Sequence, residues 1–285
     1  KKSTDIVLIY AGIIGCGFNS FGKTVDSSWI SHGLAILSAC LKKAGDTVDL
    51  IDLRQLSGWE EFEEKIKFLQ PKIIGITMMS VDYNPAMKAA EIIREVFPNT
   101  RIVVGGPHPT LAIEEFNKDK RIDYIVVGEG EISLPILVEK IKSNKKSERI
   151  IKGIKPDLDK IPFADREIFG AFEKPIVSEL PEPFVSIIAG RGCLYNCNFC
   201  KPAEDILFGQ PVRRRSVDNV IRELIELRNK YHFRSLMIHD DCLTEDRKWV
   251  IEFCRQYKKE GFREPFICQS RADIICRNED MVKLM

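Results

Sequence analysis

Arg191-Gly192-Cys193-Leu194-Tyr195-Asn196-Cys197-Asn198-Phe199-Cys200 is the stretch on which the reading of this chain turns. It follows Val185-Ser186-Ile187-Ile188-Ala189, an apolar run with the composition of a buried strand. The spacing is C-x3-C-x2-C. Thiolates hold iron–sulfur clusters, and a four-iron cubane normally takes four of them. A loop that supplies three leaves one iron open, and an open metal position is where a substrate or cofactor binds. Two alternatives compete: a structural zinc site short of one ligand, and packed thiols. Zinc sites favour C-x2-C pairs, and neither a second pair nor an H-x3-H partner follows here. The loop therefore reads as an iron–sulfur site with Cys193, Cys197 and Cys200 as its ligands.

Outward from the loop, the second half of the chain reads as β/α units. Ser216 is placed to cap a helix whose apolar face is Val217, Val220, Ile221, Leu224 and Leu227. Leu236-Met237-Ile238 is the next strand, and Trp249, Val250, Phe253 and Tyr257 mark the next helix. Pro265-Phe266-Ile267-Cys268 is a third strand, and Glu279 to Met285 opens another helix. Three such units leave open edges and do not close a barrel.

The first half alternates short apolar runs with helical spacing: Ile6-Val7-Leu8-Ile9, Val48 to Ile51, Ile73-Ile74-Gly75-Ile76, Ile102-Val103-Val104 and Tyr124 to Val127. Runs this continuous suit strands buried on both faces of a parallel sheet. Ile30, Leu34, Leu37 and Leu41 recur at helical spacing, with Gly45 as the stop. Asn84-Pro85 is expected to open another helix, which Pro98 ends. The expected fold is α/β: a doubly wound five-stranded parallel sheet over residues 1–145, a Pro- and charge-rich surface connector over 146–182, and the first half of a barrel over 183–285.

Composition bounds the function. Charged residues make up 30% of the 285 residues, yet the net charge is +1, so no basic excess points to a nucleic-acid partner. The opening Lys1-Lys2-Ser3-Thr4-Asp5 does not read as a signal peptide, and no apolar stretch reaches membrane-spanning length. The nine cysteines then read as thiols and metal ligands of a cytoplasmic protein rather than as disulfides. Of those outside the loop, Cys40 and Cys254 fall within helix patterns as packed thiols; Cys242, Cys268 and Cys276 show no ligand spacing. Cys16 lies in the glycine-rich loop Gly12-Ile13-Ile14-Gly15-Cys16-Gly17, which lacks the G-x-G-x-x-G order of a dinucleotide site.

The cysteine spacing, with Phe199 before the last cysteine, resembles the signature of radical S-adenosylmethionine enzymes. An α/β domain, a connector and then this loop resemble the subclass with a cobalamin-binding domain. Gly105-Gly106-Pro107-His108-Pro109-Thr110, Val126-Val127-Gly128-Glu129-Gly130-Glu131 and Arg213-Arg214-Arg215-Ser216 resemble phrases of that subclass, so the likeness runs along nearly the whole chain.

The resemblance implies a 4Fe–4S cluster whose open iron is chelated by S-adenosylmethionine, and reductive cleavage to a 5′-deoxyadenosyl radical. It implies a partial barrel of six units, so the chain is expected to hold the front half. Phe199 is expected near the adenine, Asp240 or Asp241 at the methionine ammonium, and Arg271 at its carboxylate. Helix capping and surface ion pairing are the plain alternatives for Asp240, Asp241 and Arg271. The Arg213–Arg215 run reads as a solvated face, or else as a phosphate neutraliser.

Ligands of open α/β sheets bind at strand carboxyl ends, so Gly105, Gly106, Gly128 and Gly130, with Thr77 and Ser80, are expected to line a cobalamin crevice. No D-x-H-x-x-G is present: the histidines are His32, His108, His232 and His239, none two residues after aspartate. Cobalamin is thus expected base-off without a histidine ligand. His32 reads as a packing or capping residue. The expected reaction is methylation of an unactivated carbon in a small-molecule or lipid-like substrate, with electrons from an external flavodoxin or ferredoxin. The alternatives are cyclisation or rearrangement, an enzyme of this fold without cobalamin, and a non-catalytic iron–sulfur or corrinoid protein.

Overall fold

The computed structural model describes residues 4–12, 18, 30–170, 173, 179–201 and 203–285. Cys16 and most of its glycine-rich loop lie outside the described residues. The chain forms two compact units, Lys1–Pro156 with Ile161–Gly170, and Asp157–Lys160 with Ala171–Met285.

In the first unit, strands alternate with helices: β1 Ile6–Tyr10, α1 His32–Lys43, β2 Val48–Asp52, α2 Trp59–Leu69, β3 Ile73–Thr77 and α3 Tyr83–Val96. There follow β4 Arg101–Gly105, the short α4 Pro107–Leu111 and α5 Ile113–Asn117, β5 Tyr124–Val127, α6 Ser133–Lys142 and β6 Ile150–Lys152. Every pairing is parallel, in the order β2-β1-β3-β4-β5-β6. The sheet has six strands, one more than expected. β6 falls in the stretch read as a surface connector, and residues 161–170 also fold into this unit. Ile150-Ile151-Lys152 is too short and too flanked by charge to announce itself as a strand.

Alternation within each strand builds two cores. Val7, Ile9, Ile74, Ile76, Ile102 and Val104 pack with Phe62, Ile66, Ala89 and Ile93 on the α2–α3 side. Ile6, Leu8, Ile73, Val103 and Val126 pack with Leu34, Leu41, Leu134 and Leu137 on the α1–α6 side. Each such buried Ile, Leu or Phe contributes about 1.5–3 kcal/mol. The Ser31 hydroxyl accepts from Leu34 N to cap α1, and Gly45 follows its end at φ +94°. α3 opens at Tyr83 behind Asp82, so Asn84 and Pro85 lie in its first turn rather than at its cap.

The second unit opens with β7 Phe184–Ile187, then β8 Gly190–Arg191, α7 Ala203–Leu207, β9 Arg213–Arg214, α8 Val217–Tyr231 and β10 Ser235–Ile238. It continues with α9 Arg247–Lys259, β11 Phe266–Cys268, α10 Ala272–Arg277 and α11 Glu279–Leu284. β11-β10-β7 form a parallel sheet, and β8 pairs antiparallel with β9. Val185, Ile187, Leu236 and Ile238 form one core with Val220, Leu224, Val250 and Phe253. Ser216 caps α8 through Asn219 N, as its position suggests. Cys40, Cys242 and Cys254 are buried thiols.

Candidate functional site

The first unit's sheet order reverses between β1 and β3, and a doubly wound sheet binds its ligand beyond the strand ends at such a point. Thr77 closes β3, and Gly105-Gly106 leave β4 beside it. Gly106 has φ +95°, and a Cβ there would stand 2.6 Å from Thr77 Oγ1 and 3.1 Å from Met78 O. Only glycine lets these two strand ends meet so closely. Gly128 leaves β5 at φ +82° with open space where a Cβ would go, and its N–H donates to Thr110 Oγ1 at 2.9 Å. Gly130 is different: a Cβ there would press on Leu37 of α1 at 3.2 Å, so it serves helix packing.

Ser80 Oγ lies 3.1 Å from His108 Nδ1, and His108 Nε2 lies 3.4 Å from Glu115 Oε2. Tyr83 and Phe116 stand edge-on to that imidazole. His108 was not singled out from sequence, although it sits inside the quoted Gly-Gly-Pro-His phrase. Its partner Ser80 is 28 residues away, so nothing local paired them. Nearby, Arg54 is buried against Asp52, with Nη2 to Oδ2 at 2.6 Å, and its guanidinium lies 4.5 Å from the Tyr10 ring centre. Asp82 is 1% exposed, and burial pushes its carboxyl up to about 6 against the pull of the Met79 N–H and Arg54.

In the second unit, the cysteine loop leaves β8 through Gly192 at φ +94°. Cys197 O accepts from Cys200 N and Lys201 N, both at 2.9 Å, so the last two cysteines share one tight turn. Lys201 Nζ and Gln210 Nε2 donate to Cys193 O at 3.3 and 3.2 Å. Cys193 and Cys197 are partly buried and Cys200 is exposed. Burial raises the Cys193 thiol, so binding iron must displace that proton. Among the described residues, no three His, Cys, Asp or Glu side chains converge as they would on a single metal ion.

Phe199 is 90% exposed, an aromatic face presented beside the loop. The Arg271 guanidinium lies 4.0 Å from the Tyr195 ring centre, with Nη1 3.7 Å from Cys197 Sγ and Nε 2.9 Å from Asp273 Oδ1. The paired aspartates part company. Asp241 is exposed beside Glu204, whose carboxyl burial and the Asp241 charge push up to about 7. Asp240 is 3% exposed and faces inward. The arginine run is not a solvated face: Arg214 pairs with Asp240 at 2.7 Å and Arg215 with Glu223 at 2.5 Å.

Fold and site together define a doubly wound α/β unit followed by a smaller α/β unit that carries a three-cysteine loop. Residues 20–138 match the B12 binding domain family. The chain is 27% identical over 269 residues to an uncharacterized methyltransferase of Pyrococcus horikoshii, covering 89% of this chain and 57% of that protein. It is 27% identical over 294 residues to the anaerobic magnesium-protoporphyrin IX monomethyl ester cyclase of Cereibacter sphaeroides, covering 93% and 46%. The solved structure of the cobalamin-dependent S-adenosylmethionine radical enzyme OxsB, with aqua-cobalamin and S-adenosylmethionine bound, superposes with a TM-score of 0.76. That match covers 99% of this chain and 42% of OxsB, and at 17% identity it speaks for the fold. Residues 20–138 thus carry a B12 binding domain, in a chain similar along nearly its whole length to that methyltransferase and that cyclase and alike in fold to a cobalamin-dependent S-adenosylmethionine radical enzyme. The chain spans about half the length of the curated relatives it matches.

Proposed function

We propose that this chain supplies the cobalamin domain and the cluster-bearing front of a radical S-adenosylmethionine enzyme that methylates an unactivated carbon of a small-molecule or lipid-like substrate. The observation that carries this is the C-x3-C-x2-C loop following a parallel strand in a chain whose first unit matches a B12 binding domain. When bound, the cluster supplies an electron to S-adenosylmethionine, and the corrinoid supplies the methyl group.

Cys193, Cys197 and Cys200 hold the cluster, each giving up a thiol proton to do so. Exposed Phe199 offers a stacking face for the adenine. Asp241, exposed, accepts from the methionine ammonium. Arg271, held over Tyr195, presents its guanidinium to the carboxylate. In the first unit, Thr77, Ser80, Gly105, Gly106 and Gly128 border the strand ends where a corrinoid would sit base-off, without a histidine ligand. Electrons come from an external flavodoxin or ferredoxin.

Cyclisation is the second reading, favoured by the likeness to the Cereibacter cyclase over 93% of the chain. Anaerobic reconstitution with iron, sulfide and hydroxocobalamin, followed by desalting and absorption spectroscopy, tests the proposal. Retained corrinoid bands over the broad cluster absorption are expected. A cluster without corrinoid would leave a radical enzyme whose first unit has another use.

A further inference from the structure

Three buried charged side chains hold the backbone on either side of the first cysteine. Asp240, at the end of β10, accepts from Ala189 N at 2.7 Å and Gly190 N at 3.0 Å through Oδ1. Its Oδ2 pairs with Arg214 Nη1 of β9 at 2.7 Å. Arg214 Nη2 reaches on to Glu245 Oε1 at 3.5 Å, and Glu245 Oε2 accepts from Leu194 N at 3.2 Å. The side chains of Asp240 and Glu245 are each 3% exposed and that of Arg214 10%. Gly190 makes room for the arrangement, since a Cβ there would stand 3.0 Å from Asp240 Oδ2.

The backbone is therefore gripped at Ala189 and Gly190 on one side of Cys193 and at Leu194 on the other. Arg214 joins the two grips, and the β8–β9 ladder ties the arginine's own strand to the loop. Hydrogen bonds to charged groups in a buried setting are the strong ones, and a buried charge is held only by its partners.

We propose that Asp240, Arg214 and Glu245 form a clamp that fixes the backbone around Cys193 and so retains the cluster. They are positioning residues, acting through the loop. This rests on the reading of the three cysteines as cluster ligands.

The test uses the 285-residue chain, reconstituted anaerobically, with release of iron to a ferrous chelator followed by absorbance. Glu245→Ala leaves Leu194 N without its acceptor, and iron is expected to leave about tenfold faster, the loss of one charged hydrogen bond. Glu245→Gln keeps an acceptor oxygen and is expected to stay within about threefold of the unaltered chain. Asp240→Asn breaks the ion pair and is expected to behave like Glu245→Ala. The Glu245 pair carries the test even where Asp240→Asn yields no folded protein. Circular dichroism of each variant establishes that release is measured from folded chains.

A purely structural role would lower the unfolding temperature and leave release from folded protein unchanged, which overturns the clamp. Equal rates for Glu245→Gln and Glu245→Ala overturn it as well. An unaltered chain that takes up no cluster refutes the cysteine reading, and the clamp falls with it.

Discussion

Replacing Asp82 with asparagine should stabilise the first unit in alkaline but not in acid solution. Asp82 sits between β3 and α3, 1% exposed. Its Oδ2 accepts from Met79 N at 3.2 Å, and its Oδ1 has no partner among the described residues. Burial raises its carboxyl from 3.8 to about 6. A carboxyl whose folded value lies above its unfolded value favours folding while protonated. That contribution is complete below about 3.8 and is lost as the pH climbs through about 6. A rise of about 2 units at about 1.4 kcal/mol each costs the folded state about 2–3 kcal/mol at pH 8. Asparagine is neutral throughout and keeps an acceptor for Met79 N. The variant's advantage should be about 2 kcal/mol larger at pH 8 than at pH 4.5, about 4–8 °C in melting temperature. Urea unfolding followed by circular dichroism at the two pH values measures this directly. A difference independent of pH, or a variant less stable at pH 8, would refute the claim that Asp82 ionises at a cost.

The remaining predictions concern single contacts. Alanine at Cys193, Cys197 or Cys200 should each abolish retention of iron and sulfide after desalting while leaving corrinoid uptake intact, read by metal analysis and absorbance. Gly128→Ala should cost about 1 kcal/mol, for the positive φ alone, and Gly106→Ala about 2–3 kcal/mol, because strain adds to the approach on Thr77. Urea midpoints rank the two. Arg149 donates to Ile122 O, Phe116 O and Asp119 O at 2.5, 2.9 and 2.7 Å, so Arg149→Ala strips three carbonyls beside β5. Its expected cost is about 2–3 kcal/mol in the same assay.

What the sequence showed follows from what is local. Strands buried on both faces read as unbroken apolar runs, which is why β1, β3 and β4 stood out. Ser216 was legible as a cap because a cap bonds within three residues. β6 was not, since its three residues owe their conformation to pairing with β5. The helix opened by Asn84-Pro85 starts earlier because Asp82 is drawn into the unit's interior. The cluster cysteines were legible because their chemistry lies in spacing along one loop. Asp240 and Asp241, adjacent in sequence, differ wholly in burial, and only the fold separates them. Arg214 reads as one charge in a basic run, yet its partners stand 26 and 31 residues on.

The most direct test of the central claim is electron paramagnetic resonance of the reconstituted, dithionite-reduced chain with and without S-adenosylmethionine. A reduced 4Fe–4S signal whose g-values shift when S-adenosylmethionine is added is the expected result, because only an open iron can take the ligand. A cluster signal that S-adenosylmethionine leaves unchanged, or no cluster signal at all, would contradict the account.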